Sequence, residues 1–187
     1  MITEHRYKTM ESPVGVLTLV ASDRGLAAIL WENDDPKRVR LSELVADEVH
    51  PVLLETERQL NDYFAGTFRR FTVALDFSCG TELQKKVWEA LGTIPSGETR
   101  SYAEIARQIG HPGAVRAVGA ANGRNPISII APCHRVIGSN GKLTGFAGGL
   151  EIKSYLLSLE RSSVDLPGMM ASPPRLPAET EGSEAAD

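Results

Sequence analysis

An α+β fold is what this sequence of 187 residues predicts: a small N-terminal α/β domain of sheet plus helix, then a mainly α domain with a helix-turn-helix. Three observations carry that expectation. Short apolar runs bounded by turn residues fill the beginning of the chain, and past Pro51 the apolar period lengthens to that of a helix. In the second half two capping boxes, Thr81 with Gln84 and Ser101 with Glu104, mark helix starts.

The elements follow in order. VGVLTLVA and GLAAILW have the length of strands, and Ser22, Asp23, Arg24 and Gly25 between them supply hairpin-turn chemistry, with HRYKT as a third strand. PVLLETERQLNDYFAG places Leu53, Leu60, Tyr63 and Phe64 near one helical face and stops at Gly66, after which FTVALDF reads as a strand. These elements make up a domain over 1–78. The second domain spans 79–161, its first two helices separated by the loop TIPSGETR with Pro95 and Gly97. Beyond Arg161 come four prolines, small residues and acid, too little apolar surface to offset the entropy of ordering, so 162–187 reads as a flexible tail.

Composition narrows the classes. With 42% hydrophobic residues the chain can bury a real core, yet no apolar run approaches the roughly 20 residues of a membrane span. The start MITEHRYKTM lacks the basic-then-apolar form of a signal peptide, so a cytoplasmic protein with no membrane association is expected. Cys79 and Cys133 form neither a disulfide framework nor a zinc-ligand spacing, and no metal and no cofactor are expected. Net charge is -4, but residues 99–161 hold 8 basic side chains against 3 acidic ones. That basic middle is compatible with a phosphate backbone, although a solvated face would look the same.

SYAEIARQIG followed by HPGAVRAVGAAN has the form of a helix-turn-helix, with Ile105 and Ala106 inward and a break around Gly110 to Gly113. Its second helix is unusual. Ala114, Val115, Ala117, Val118, Gly119, Ala120 and Ala121 are small, and Arg116 is the long side chain among them. A helix that reads base edges presents several long polar side chains. One of small residues instead lets its backbone approach DNA closely, with a single cation available to enter the duplex, which suits opening DNA rather than reading it. Packing against another helix is the plainer alternative.

IIAPCHRVIGSNG sets Cys133 beside His134, between Pro132 and Arg135. A free thiol titrates near 8.5, so a nucleophilic cysteine needs a base, and His134 is the candidate. Neighbours in sequence do not face one another on a helix, which favours a bridging water between them. A carboxylate must then orient the imidazole. Glu160, among Leu156, Leu157 and Leu159 in LEIKSYLLSLE, and Glu151 both qualify, and spacing does not choose between them.

NPISIIAPCHRVIGSNGKLTGFAGGL, with the helix-turn-helix upstream and LLSLE downstream, resembles the O6-alkylguanine-DNA alkyltransferases, or methylated-DNA protein-cysteine methyltransferases, whose active-site signature is PCHRV. The likeness is dense over 81–160 and sparse over 1–78, where the family has a variable α/β domain. It implies direct-reversal DNA repair in which an O6-alkylguanine, or an O4-alkylthymine, is flipped from duplex DNA and its alkyl group moved irreversibly to the protein, once per molecule. Cys133 would be the acceptor, His134 its base through a water, Glu160 the orienting acid, Asn125 a hinge, and Tyr102 the residue that helps rotate the nucleotide and hydrogen-bonds guanine. Arg116 would replace the flipped base in the stack, with Ala114, Ala117, Gly119, Ala121 and Asn122 facing DNA. The Val136 carbonyl, Ala147, Gly148 and Gly149 would line the guanine pocket. Ala147 stands where some members have serine, so only a backbone N–H can meet the guanine oxygen there.

The resemblance implies double-stranded DNA containing O6-alkylguanine as partner and a monomer in solution that could assemble cooperatively on DNA. Two other functions compete. A cysteine hydrolase using Cys133, His134 and Glu160 would leave the helix-turn-helix without a purpose. A regulator with a sensor cysteine needs a sequence-reading helix, which the small residues of 114–121 do not provide.

Overall fold

The structure, a computed structural model, describes residues 4–67 and 70–164; the expected tail beyond 164 lies outside them. Its first half is a sheet of order β3-β2-β1-β4, made by β1 (His5–Met10), β2 (Leu17–Ser22), β3 (Gly25–Leu30) and β4 (Leu44–Ala46). β1 and β2, and β2 and β3, pair antiparallel, while the short β4 lies parallel to β1. β2 and β3 are buried at nearly every position, as strands covered on both faces are. α1 (Pro51–Phe64) packs on this sheet through Leu53, Leu60, Tyr63 and Phe64, the residues its periodicity selects.

FTVALDF is not a strand. It makes one bridge, Leu26 to Leu75, with Leu26 N–H donating to Ala74 O and Asp76 N–H donating to Leu26 O, both at 2.8 Å. The reason is that two segments share the free edge of β3. Farther along, Ile29 N–H donates to Pro126 O at 2.9 Å and Ile29 bridges Ile127, so neither segment has room to extend its ladder. β4 also escaped the sequence reading, because three residues show no period.

The second half supplies α2 (Glu82–Leu91), β5 (Arg100–Ser101), α3 (Tyr102–Gln108), α4 (Val115–Gly123), β6 (Val136–Ile137) and α5 (Leu150–Val164). Both capping boxes form as the sequence indicates, at Thr81 and Ser101. α3 and α4 are the helix-turn-helix, and Trp88 of α2 anchors the pair by donating its indole N–H to Ala121 O at 2.8 Å. α5 runs three residues past Arg161, so residues 162–164 belong to a helix and not to a tail.

Two apolar cores result. One unites the sheet and α1 with Ile127, Ile129, Ile130 and the Tyr155, Leu156 and Leu159 face of α5. The other joins α2, α3 and α4 to Cys133 and Val136. The segment from 127 to 136 therefore passes from one core to the other, and its backbone is held by both.

The β3 edge is also where a glycine is required. Gly25 has φ +146°, and a Cβ there would lie 2.4 Å from Ala74 O. Gly25→Ala should lower unfolding stability by about 2 kcal/mol or more, through backbone strain and the displaced 74–76 segment, measurable by urea denaturation.

Candidate active site

The segment carrying Cys133 is built from local hydrogen bonds rather than from a helix or strand. Asn125 donates from Nδ2 to Ala131 O at 2.7 Å and accepts from Ile127 N–H at Oδ1 at 3.0 Å, closing the loop between them. Inside it Ile129 takes φ +73°, with Ile130 N–H donating to Ser128 O at 2.9 Å, a strained γ-turn at a β-branched residue. A second, inverse γ-turn follows at Pro132, closed by Cys133 N–H to Ala131 O at 2.8 Å. Cys133, His134 and Arg135 then form one 3-10 turn, which holds the two candidate reactive residues on short, fixed backbone.

Glu160 on α5 orients the histidine. Its carboxylate is 1% exposed and receives four hydrogen bonds: His134 Nε2 at 2.6 Å, Tyr63 Oη at 2.8 Å and Arg135 Nη2 at 2.8 Å on Oε1, and Arg135 Nε at 2.9 Å on Oε2. Burial works to raise this carboxyl, but His134 and Arg135 hold it down to about 2, so it stays an anion. The rival Glu151 is exposed on the first turn of the same helix. An anionic acceptor fixes the proton of neutral His134 on Nε2 and leaves the Nδ1 lone pair, which has no protein partner among the described residues.

Burial lowers the pKa of His134, assisted by Arg135 and Lys153 against the pull of Glu160. The Cys133 thiol, 4% exposed, is pushed up by burial, with Asn125, Arg38, Lys153 and Ser128 acting in the opposite sense. The resting state is therefore a neutral thiol beside a neutral imidazole. A nucleophile in such a setting would form its thiolate only as it reacts.

Lys153 is fully buried and donates to Val136 O at 2.6 Å and Thr144 O at 3.0 Å, tying the turn after Cys133 to the glycine loop. Tyr102 starts α3, lies against Gly119 of α4 and hydrogen-bonds Thr144 Oγ1 at 2.6 Å, joining the helix-turn-helix to the same loop. Gly148 packs on the Trp31 ring, where a Cβ would approach to 3.0 Å, while Ala147 and Gly149 are exposed. A groove of about 490 Å³ separates Ala147 from Ala120 and Gly123 of α4, from Arg124 that caps it, and from Asp34, Asp35, Lys37 and Arg38.

On α4, Arg116 is exposed, and Ala114, Ala117 and Gly119 are half-buried. Ala121 and Asn122 correct the sequence reading. Both face inward, Ala121 into the α2, α3 and α4 core and Asn122 toward Cys133 O at 3.5 Å, because the helical period turns them to the side of Val118. Their side chains hold the helix to the Cys133 turn, and the outer face carries Ala120, Gly123 and Arg124 in their place.

Four positions that hold the candidate site together are not among the residues the sequence singles out for the site. Arg135 stands inside PCHRV and pairs with Glu160 while donating to Ile94 O at 2.6 Å. Lys153 shares a helical face with Leu156, Leu157 and Glu160, a spacing that marks it as buried. Arg38 reaches from the first half to the carbonyl of Asn125 and pairs with Asp34, its i−4 neighbour. Nothing in the sequence distinguished Tyr63 from a core residue.

Comparison with known proteins agrees over both halves. The ribonuclease-like domain of 6-O-methylguanine DNA methyltransferase matches residues 5–77 and the DNA binding domain of the same protein matches residues 82–162. A methylated-DNA--protein-cysteine methyltransferase of Mycolicibacterium paratuberculosis is 51% identical over 157 residues, 83% of this chain and 92% of the relative. One from Methanosarcina acetivorans is 51% identical over 156 residues, 83% of this chain and 98% of its own length. Among solved structures, Mycobacterium tuberculosis OGT in complex with DNA superposes with a TM-score of 0.75 at 49% identity, covering 86% of this chain and 94% of that one. From its sequence, its fold and its relatives, this chain belongs to the 6-O-methylguanine DNA methyltransferase family.

Proposed function

We propose that this chain repairs alkylated duplex DNA by moving the alkyl group of an O6-alkylguanine, and of O4-alkylthymine, onto Cys133, once per molecule. The observation that carries the reading is the Cys133, His134 and Glu160 arrangement: a buried neutral thiol followed by an imidazole whose Nε2 proton is held by an anion, with Nδ1 left as the basic atom.

The reaction is a displacement at carbon. As the S–C bond forms and the C–O6 bond breaks, the Cys133 proton passes through a bridging water to His134, the electron pair leaves on the guanine, and the guanine takes a proton from water while His134 returns its own, so that the net transfer is from sulfur to guanine. Glu160 stabilises the imidazolium while it exists. The product thioether is stable and no neighbouring group offers a route to remove it, so the protein is consumed.

The base must leave the stack to reach the buried Cys133. α4 presents half-buried Ala114, Ala117 and Gly119, which let its backbone approach a groove, and exposed Arg116 is the side chain that takes the place of the flipped nucleotide. Tyr102 then meets the extruded base beside the Val136 carbonyl and the Ala147, Gly148 and Gly149 loop. Asn125 ties α4 to the reactive turn through Ala131. The N-terminal part over 1–78 and the part over 79–164 act as two domains sharing one site, and the protein works as a monomer in the cytoplasm that can cluster on DNA.

Cys133→Ala should abolish methyl transfer from a duplex containing one O6-methylguanine while changing DNA affinity by no more than about twofold, since the thiol is small and buried; product assay and fluorescence anisotropy read the two quantities. A variant that still transfers would exclude Cys133 as acceptor. Arg116→Ala should slow transfer from duplex DNA by roughly ten- to a hundredfold, because unstacking a base costs a few kcal/mol and each 1.4 kcal/mol is tenfold in rate. Transfer from a single-stranded oligonucleotide should suffer less, and equal loss on both substrates would make Arg116 a phosphate contact.

A further inference from the structure

α1 belongs to the sheet-bearing half, yet one of its side chains ends at the candidate catalytic relay. Tyr63 is 3% exposed, and its hydroxyl donates to Glu160 Oε1 at 2.8 Å, the same oxygen that takes His134 Nε2 at 2.6 Å. Arg135 Nη2 reaches that oxygen too, at 2.8 Å. Three donors thus converge on Oε1, while Arg135 Nε alone among the described residues serves Oε2.

Such sharing has a chemical consequence. Charge on a carboxylate oxygen is divided among the protons donated to it, so each added donor weakens its hold on the others. Arg135 fixes the plane of the carboxylate by its fork. The phenol adds no charge and is not needed for that plane; it acts on the strength of the bond between Oε1 and His134.

We propose that Tyr63 is a positioning residue for alkyl transfer, whose phenol, donated to Glu160 Oε1, sets how firmly that oxygen holds His134 and therefore how readily His134 acts as a base. The inference rests on the reading of His134 as the base for Cys133. The N-terminal half then contributes directly to the chemistry and not only to support. Burial and the charge of Glu160 keep the phenol protonated, so it remains a donor throughout the range in which the protein works.

The sign of the effect follows from the charged groups that act on His134: Glu160 and Lys153 of α5, Arg135 of its own turn, and Tyr63 of α1 through the shared oxygen. Without the phenol, Oε1 carries more charge, the imidazolium is better stabilised, and His134 protonates at higher pH. The acid side of the rate profile moves up with it. A role confined to packing would change the amount of folded protein or its melting temperature and leave that midpoint in place.

The test is a titration of His134 by NMR in the full chain, with methyl-transfer rates measured across the same pH range, for the wild type, Tyr63→Phe and a protein carrying 3-fluorotyrosine at position 63. The phenylalanine variant keeps the ring and should raise the His134 midpoint by about half a unit to one unit. The fluorinated phenol is a stronger donor and should lower it, and the acid limb of the rate should follow in both. Identical His134 midpoints in the three proteins, or a rate limb that ignores a shifted midpoint, would overturn the inference. Absence of methyl transfer in the wild type would instead strike the proposed function, and the NMR midpoints would still decide whether Tyr63 controls His134.

Discussion

The fold of this chain is arranged around one buried anion. Glu160 is 1% exposed, and a carboxylate removed from water is tolerated only when donors replace its hydration. Here they come from two places, Tyr63 on α1 and the pair His134 and Arg135 on the 3-10 turn, and Arg135 also donates to the carbonyl of Ile94 after α2. α1, the reactive turn and α5 are thereby fixed relative to one another. The same bonds choose the tautomer of His134, so the requirement that stabilises the fold also leaves Nδ1 ready for the proposed role as base.

Around that anion the backbone is strained where the chemistry is placed. Ile129 occupies the left-handed region at φ +73° and stays there because Asn125, the Ile29 edge of β3 and two apolar cores hold the loop on every side. Arg38 adds a clasp from the first half on the Asn125 carbonyl. Two separate cores alone would leave the Cys133 turn free to shift between them; these cross-links make it a fixed point against which α4 and the glycine loop are set.

Local rules written in the sequence were legible. The capping boxes at Thr81 and Ser101, the buried face of α1 and the hairpin of β2 and β3 depend on neighbours within a few residues, and all form. FTVALDF misled because its β-propensity is real while its partner edge is shared with Pro126 and Ile127, a competition no local pattern records. Ala121 and Asn122 were placed toward DNA because small residues on all sides of α4 hide which face is inward. Lys153 lies at helical spacing from Leu156 and Glu160, but a lysine is so seldom buried that composition argues against the inward face it takes. Tyr63 and Arg38 act across 97 and 87 positions of chain, and such pairings exist only once the fold does.

The central claim is that the buried thiol of Cys133, and not the exposed thiol of Cys79, accepts an alkyl group from DNA. Intact mass after mixing the protein with a duplex containing a single O6-methylguanine, followed by peptide mapping, tests it most directly. The account predicts a gain of one methyl per chain, located on Cys133, with unmodified guanine recovered in the DNA. A methyl on Cys79, or unchanged protein bound to unchanged DNA, would contradict it.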